Sequence, residues 1–340
     1  MKRILEAKTD ILTKGHQYVG FAASIASTHP DYEAWLADNY IQLSFDKDNI
    51  GRNIVLDFVG GTIFDSLRLL GYEDYPIKKN RMRKNEKEII KLVRSSIDES
   101  RCICTYLDEY YVPDRQAYKN HHFEHDALIY GYDFEKNVIH ILGYDDKGKY
   151  QKGSLDLAEF LDAFQTEDTL LKQVWLKKEG YTFDRKRLLR MLAEYAYSVD
   201  IRKDLGFYVD IDEKSFFRNK YERHPNILFG MDIYHGFTQL LDYAQKTDSV
   251  LDARAFCTLY EHKKCMIRRL ETLRKYYRID LAAEIRIYQE LEELTHGMLY
   301  STIKYRFTKR ASILDSIRGN LDTVKELEAS CMKTLLGILS

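Results

Sequence analysis

The sequence predicts an α+β protein: a first half that mixes helices with an antiparallel sheet, followed by a helical second half. Three observations carry that reading. Residues 85–97 place Ile89, Ile90, Val93 and Ile97 on one stripe opposite Lys and Glu, the period of an amphipathic helix. From Arg101 the period shortens to the alternation of strands, in CICTYLDEYYV, DALIYGYD and NVIHILGYDD. Beyond about residue 183 helical periodicity returns and persists to the last residues, so the division falls at residues 1–180 and 181–340.

Taken in order, residues 20–45 predict two short helices. GFAASIAS supplies the small apolar residues of the first, and His29-Pro30-Asp31 stops it and restarts the second, which carries Tyr32, Trp35, Leu36 and Ile41 at near-helical spacing. DALIYGYD and NVIHILGYDD are separated by Phe134-Glu135-Lys136 and read as an antiparallel hairpin, with CICTYLDEYYV as a third strand beside it. Residues 154–165, SLDLAEFLDAFQ, open on a Ser cap and return to helix. In the second half RKRLLRMLAEYAYSV, NILFGMDIYHGFTQLLDYAQK, the run from Asp252 to Arg278, LAAEIRIYQELEELTHGMLYSTIKY and the segment from Ser312 onward each read as helix. No fixed-period repeat joins them, which favours a bundle over a solenoid, and Gly206-Phe207-Tyr208-Val209 reads as a short linker strand.

The 340 residues carry 52 Lys and Arg against 53 Asp and Glu, a net charge of −1, so no basic field exists to hold a nucleic acid. No apolar run is long enough to span a bilayer and the start MKRILEAKTD lacks the apolar stretch of a signal peptide, which predicts a cytoplasmic protein that does not use a membrane. The five cysteines are odd in number and show no CxxC pair, so reduced thiols are expected; Cys102 and Cys104 alternate on a strand as buried structural residues. His121, His122 and His125 lack the Cys or spaced carboxylate that would complete a metal set.

The window Tyr118–Tyr150 holds the chemistry. If the hairpin pivots about Glu135, residues whose numbers sum to 270 face each other, and Asp145 lies across from His125. Cross-strand Cβ atoms stand about 5 Å apart, close enough for a carboxylate to fix one imidazole tautomer. Asp133, eight residues along the same strand, is about 26 Å away and is excluded. The plainer reading of the pair is a surface hydrogen bond; the functional one needs a nucleophile for the histidine to serve.

The run His125-Asp126-Ala127-Leu128-Ile129-Tyr130-Gly131-Tyr132-Asp133, followed by a second strand with an acidic end, resembles the histidine region of papain-like cysteine enzymes. More narrowly, it resembles the family of the butirosin biosynthesis protein H amino-terminal domain, a relative of the C39-type peptidases. The likeness is best over residues 10–165 and continues through Phe229-Gly230, Ile233-Tyr234 and Glu261-His262-Lys263, which are similar to long members encoded beside carrier-protein assembly lines. It implies a papain-like domain, helices packed on a small antiparallel sheet, ahead of a helical substrate- and carrier-binding domain. It also implies an amide-forming acyltransferase of natural-product biosynthesis. Such an enzyme takes an acyl chain from a carrier protein's phosphopantetheine thioester, through a Cys-linked acyl-enzyme, to an amine, with no cofactor of its own.

The implied partners are an acyl or peptidyl carrier protein and a small-molecule amine. The basic run Lys263, Lys264, Arg268, Arg269, Arg274, Lys275 and Arg278 would receive the acidic surface of such a carrier. The same triad would equally serve a peptidase or thioesterase, and a chain without its nucleophile would be a binding module.

The family pattern places a cysteine at the start of the first helix, where residues 15–24 contain none. In papain-like enzymes a Gln six residues before the nucleophile donates to the oxyanion, so Gln17 implies a nucleophile position at Ala23, with Ala22 and then Gly20 as neighbours in the alignment and Ser24 as a substitute. The departure reads either as a Cys→Ala replacement that traps a substrate or as a relative that lacks the thiol. The expected site is Ala23 or Ala22, His125, Asp145 and Gln17.

Overall fold

A computed structural model describes residues 1–60, 62, 69–168, 170–208, 221 and 225–340. The chain forms two compact units, Met1–Pro30 with Thr62–Gly180, and Asp31–Gly61 with Tyr181–Ser340. The mixed α+β character stands. The expected boundary at 180 needs one correction, because Asp31–Gly61 belongs with the helical unit.

In chain order the elements begin with strand β1 (Lys2–Ile4), helices α1 (Gln17–Ala26) and α2 (Tyr32–Ala37), and strands β2 (Leu43–Asp46), β3 (Leu56–Phe58) and β4 (Leu70–Asp74). Helices α3 (Pro76–Met82) and α4 (Glu86–Asp98) lead into β5 (Cys102–Asp108), β6 (Glu124–Asp133), β7 (Val138–Tyr144) and β8 (Tyr150–Asp156), then α5 (Leu157–Ala163) and β9 (Leu171–Leu176). The remainder is α6 (Arg185–Ala196), β10 (Ile227–Phe229), α7 (Ile233–Thr247), α8 (Ala253–Tyr277), α9 (Ala282–Thr308) and α10 (Ala311–Leu339).

The first unit is built on a seven-stranded sheet in the order β4-β9-β5-β6-β7-β8, with β1 added to β6, and every described pairing in it is antiparallel. Its core lies between the sheet and the apolar stripes of α4 and α5: Ile89, Val93 and Ile97 with Phe160 and Phe164 close over Ile103, Leu107, Ile129 and Ile141. Asn85 caps α4 by accepting from Glu88 N. The expected Ser154 cap is displaced: β8 runs through Ser154, and Asp156 caps α5 by accepting from Ala158 N. α1 lies against β6, β7 and β9 and is buried along nearly its whole length, which explains its small residues.

The second unit is less purely helical than the sequence predicts. β2 pairs with β3 and β10, so the first part of the segment read as one helix, Asn226 onward, is a strand that completes a three-stranded sheet. Gly230 makes the turn out of β10 at φ +57°, and a Cβ there would stand 2.2 Å from the Tyr195 carbonyl oxygen, so only glycine fits. The other helices stand as expected. Gly206 and Phe207 end a 3₁₀ turn (Ile201–Phe207) rather than a strand, and Val209 lies outside the described residues. No helix among the described residues is long and apolar enough to cross a membrane.

Candidate functional site

The site forms where the N-terminus of α1 meets the open end of β6. Gln17 is the first residue of α1, and its side chain is almost wholly buried. Its Nε2 donates to the Asp126 carbonyl oxygen (3.0 Å) and to Asp126 Oδ1 (3.1 Å), and its Oε1 accepts from Tyr144 N (2.8 Å). The same Nε2 stands 3.3 Å and 3.4 Å from the two ring nitrogens of His125. Gly143 permits this approach: a Cβ there would be 2.4 Å from Gln17 Oε1 and 2.7 Å from an Arg115 guanidinium nitrogen.

The central pair of the expected site, Gln17 and His125, is therefore brought together. The nucleophile positions are not. α1 begins at Gln17, so Ala23 is its seventh residue, about 9 Å farther along the axis at 1.5 Å per residue. Ala22 and Ala23 have no exposed surface. Gly20 is packed against the Tyr150 ring, and Ser24 is buried with its hydroxyl 3.1 Å from that of Tyr150. The residue at the helix start, where backbone N–H groups and the helix dipole would stabilise a thiolate, is Gln17 itself. The oxyanion role also changes, because the Gln17 amide hydrogens already face Asp126.

Asp145 is the second correction. The hairpin follows the expected register at Leu128↔Leu142 and Ile129↔Ile141, then shifts by one at a bulge before Gly131↔His140. Pairing ends at Leu128, and the Asp145 carboxylate is spent on its own turn: Oδ1 accepts from Lys147 N and Lys149 N, Oδ2 from Gln151 Nε2. The carboxylate that holds the imidazole is Glu109, in the 3₁₀ turn after β5, with Oε1 2.9 Å from His125 Nδ1. Asp126 Oδ1 lies 3.3 Å from His125 Nε2, and among the described residues Asp126 Oδ2 is buried without a hydrogen-bond partner.

Burial alone would push the His125 pKa down; the Glu109 hydrogen bond and the Asp126 charge outweigh it and hold it above the usual value. Burial raises the Asp126 carboxyl, against the His125 charge and the Gln17 hydrogen bond. Burial also lowers the Arg115 guanidinium, which Glu109, Asp126 and Asp145 surround. Both ring nitrogens of His125 thus face carboxylates, an arrangement that suits an imidazolium and leaves no ring nitrogen free to accept a proton.

The sign of the linkage follows. A folded-state His125 pKa above its unfolded value stabilises the fold below about pH 6.5, and the contribution is lost as pH rises through the raised value. Glu109→Gln is expected to lower the His125 pKa and to destabilise the protein at pH 5.5 but not at pH 9. Ring-proton NMR titration and thermal melts at the two pH values check this; an unchanged His125 titration would refute the pairing.

Glu109, Asp126, Arg115 and Gly143 were not expected here. Glu109 was legible in principle, because β5 pairs with β6 at Leu107↔His125 and so delivers the residue two positions on to the imidazole. Nearby, His122 Nδ1 lies 2.6 Å from Asp108 Oδ2 and its ring stacks on Tyr110. Among the described residues no group of three His, Cys, Asp or Glu side chains is placed to hold a metal ion. Cys102 and Cys104 are buried, and burial pushes the Cys102 thiol up to about 12, so neither is a nucleophile.

No family model and no curated protein matches the chain.

The basic run of α8 does not form one surface. Lys263 and Arg269 are wholly buried: Lys263 Nζ binds Glu328 Oε1 at 2.6 Å, and Arg269 donates to the carbonyl oxygens of Ala37 and Asn39. Arg268 forms a two-point pair with Glu33. Glu261-His262-Lys263 is likewise interior, with His262 Nε2 2.9 Å from the Ile41 carbonyl oxygen.

Proposed function

We propose that the first unit is a ligand-binding module on a papain-like frame that forms no acyl-enzyme, and that its ligand is the acyl-thioester arm of a carrier protein. One observation carries the first part: at the start of α1 an amide, Gln17, meets His125, whose two ring nitrogens already face Glu109 and Asp126. A covalent step needs a nucleophile and a base with a free lone pair, and this arrangement offers neither. The ligand class follows from the resemblance of residues 10–165. In this reading the missing thiol is a property of the chain, in Gln17, and not a replacement at Ala23.

The oriented His125–Glu109 pair favours one second reading, the amide-forming acyltransferase without an enzyme thiol. There an amine attacks the bound thioester directly, and His125, released from Asp126, takes its proton. A peptidase or thioesterase would route water the same way. Titration with an acyl-pantetheine thioester, with and without a diamine, separates these. The binding module gives saturable binding that weakens about tenfold or more in His125→Ala, with no thiol released. Amide product lost in His125→Ala would establish the transferase, free acid the hydrolase, and absence of binding would defeat all three.

A further inference from the structure

The last turns of α9 are apolar on both sides. Met298, Thr302 and Tyr305 face the interior and are buried. On the opposite side, at helical spacing, Tyr300, Ile303 and Phe307 are 60%, 43% and 80% exposed. A helix of a water-facing bundle has no use for apolar residues on its outer face unless something covers them.

Charge identifies what does. From Thr295 to Leu314 the chain holds no acidic residue, while Lys304, Arg306, Lys309 and Arg310 surround the exposed rings. Lys304, Arg306 and Arg310 are exposed; Lys309 lies 3.7 Å from Asp248. Only Lys309 and Arg310 connect α9 to α10, so Phe307 sits within one turn of the end of a helical hairpin. A second copy of the chain across a two-fold axis would set these cations against their own images. A groove-bound helix would need a concavity rather than a hairpin end. A flat anionic surface that takes apolar side chains at its boundary and cations at its headgroups satisfies both features.

We infer that the α9–α10 hairpin end, through Tyr300, Ile303 and Phe307 with Lys304, Arg306 and Arg310, docks on an anionic lipid surface. The inference is independent of the reading of the His125 site.

The test is co-sedimentation of the full chain with vesicles of phosphatidylcholine containing 30% phosphatidylserine, against phosphatidylcholine alone. Binding is expected to the anionic vesicles only and to fall with salt. Lys304→Gln/Arg306→Gln/Arg310→Gln should weaken it on the order of 100-fold, at about fivefold per cation. Ile303→Ser/Phe307→Ser should weaken it at unchanged charge, with both variants retaining the native circular dichroism because the residues are exposed. No binding, equal binding to neutral vesicles, insensitivity to either variant, or concentration-dependent self-association abolished by Phe307→Ser would overturn the proposal.

Discussion

Gln17→Cys is expected to acylate, which under the proposed reading the unaltered chain does not. A thiol at the first residue of α1 would lie beside the His125 ring, at the helix end where backbone N–H groups favour a thiolate. The substitution removes the amide that bridges Asp126 and Tyr144, at a cost of about 1 kcal/mol for each of those hydrogen bonds. The His125 ring, held as an imidazolium between Glu109 and Asp126, would stabilise that thiolate as its charge partner. With an acyl-pantetheine thioester the variant should gain one acyl mass and release one thiol, and Gln17→Cys/His125→Ala should do so about 10²–10⁴-fold more slowly. Ala23→Cys serves as the control. Its thiol would be buried, two turns from the imidazole, and should remain unmodified. Acylation of Ala23→Cys in place of Gln17→Cys would mean that α1 is wrongly registered against β6.

The second large effect concerns stability. In the helical unit the Glu328 carboxylate accepts from Lys263 Nζ, from Tyr234 OH at 2.5 Å, and from Tyr195 and Tyr288 at 3.2 and 3.3 Å, all without exposed side-chain surface at the ion pair. His262 completes the network. Its Nε2 donates to the Ile41 carbonyl oxygen, which leaves Nδ1 to accept from Lys263 Nζ at 3.3 Å. Burial, with Lys263 and Arg269 nearby, holds the ring well below the usual histidine range and so neutral. Glu328→Ala strands an ammonium and three hydroxyls in the interior and should cost about 3–5 kcal/mol. That corresponds to a melting temperature lower by roughly 10 °C. Lys263→Met/Glu328→Leu, which removes both charges, should cost much less than Glu328→Ala. If the double variant is the less stable of the two, the pair contributes net stability and the desolvation argument fails.

Period carried most of the fold. The stripe Ile89, Val93, Ile97 matches one helix, and the alternating segments between Cys102 and Tyr144 match three strands, because one face of each is buried in the same core. The sequence could not show which partner a segment would choose. Ile41 and residues 43–45 fall inside the 20–45 span that reads as helix, but α2 ends at Ala37, and the strand Leu43–Asp46 owes its character to pairing with Ile227–Phe229, far along the chain. The same limit governed the site. Across the bulge the hairpin keeps the expected register, at Leu128 and Ile129, but its extrapolation to Asp145 ignored that pairing ends at Leu128 and that the Asp145 carboxylate closes its own turn. The imidazole also has a second neighbouring strand, and its carboxylate came from there. Similarly, the cations of α8 look like a surface run in one dimension. Only the packed helices show that Lys263 and Arg269 point inward and are paired or bonded to backbone.

The most direct measurement is thiol release from an acyl-pantetheine thioester by the unaltered chain, followed together with its intact mass. With Gln17 at the start of α1 and His125 held between two carboxylates, release should stay at the rate without protein and the mass should not change. A catalysed release, or a chain heavier by one acyl group, would contradict the account.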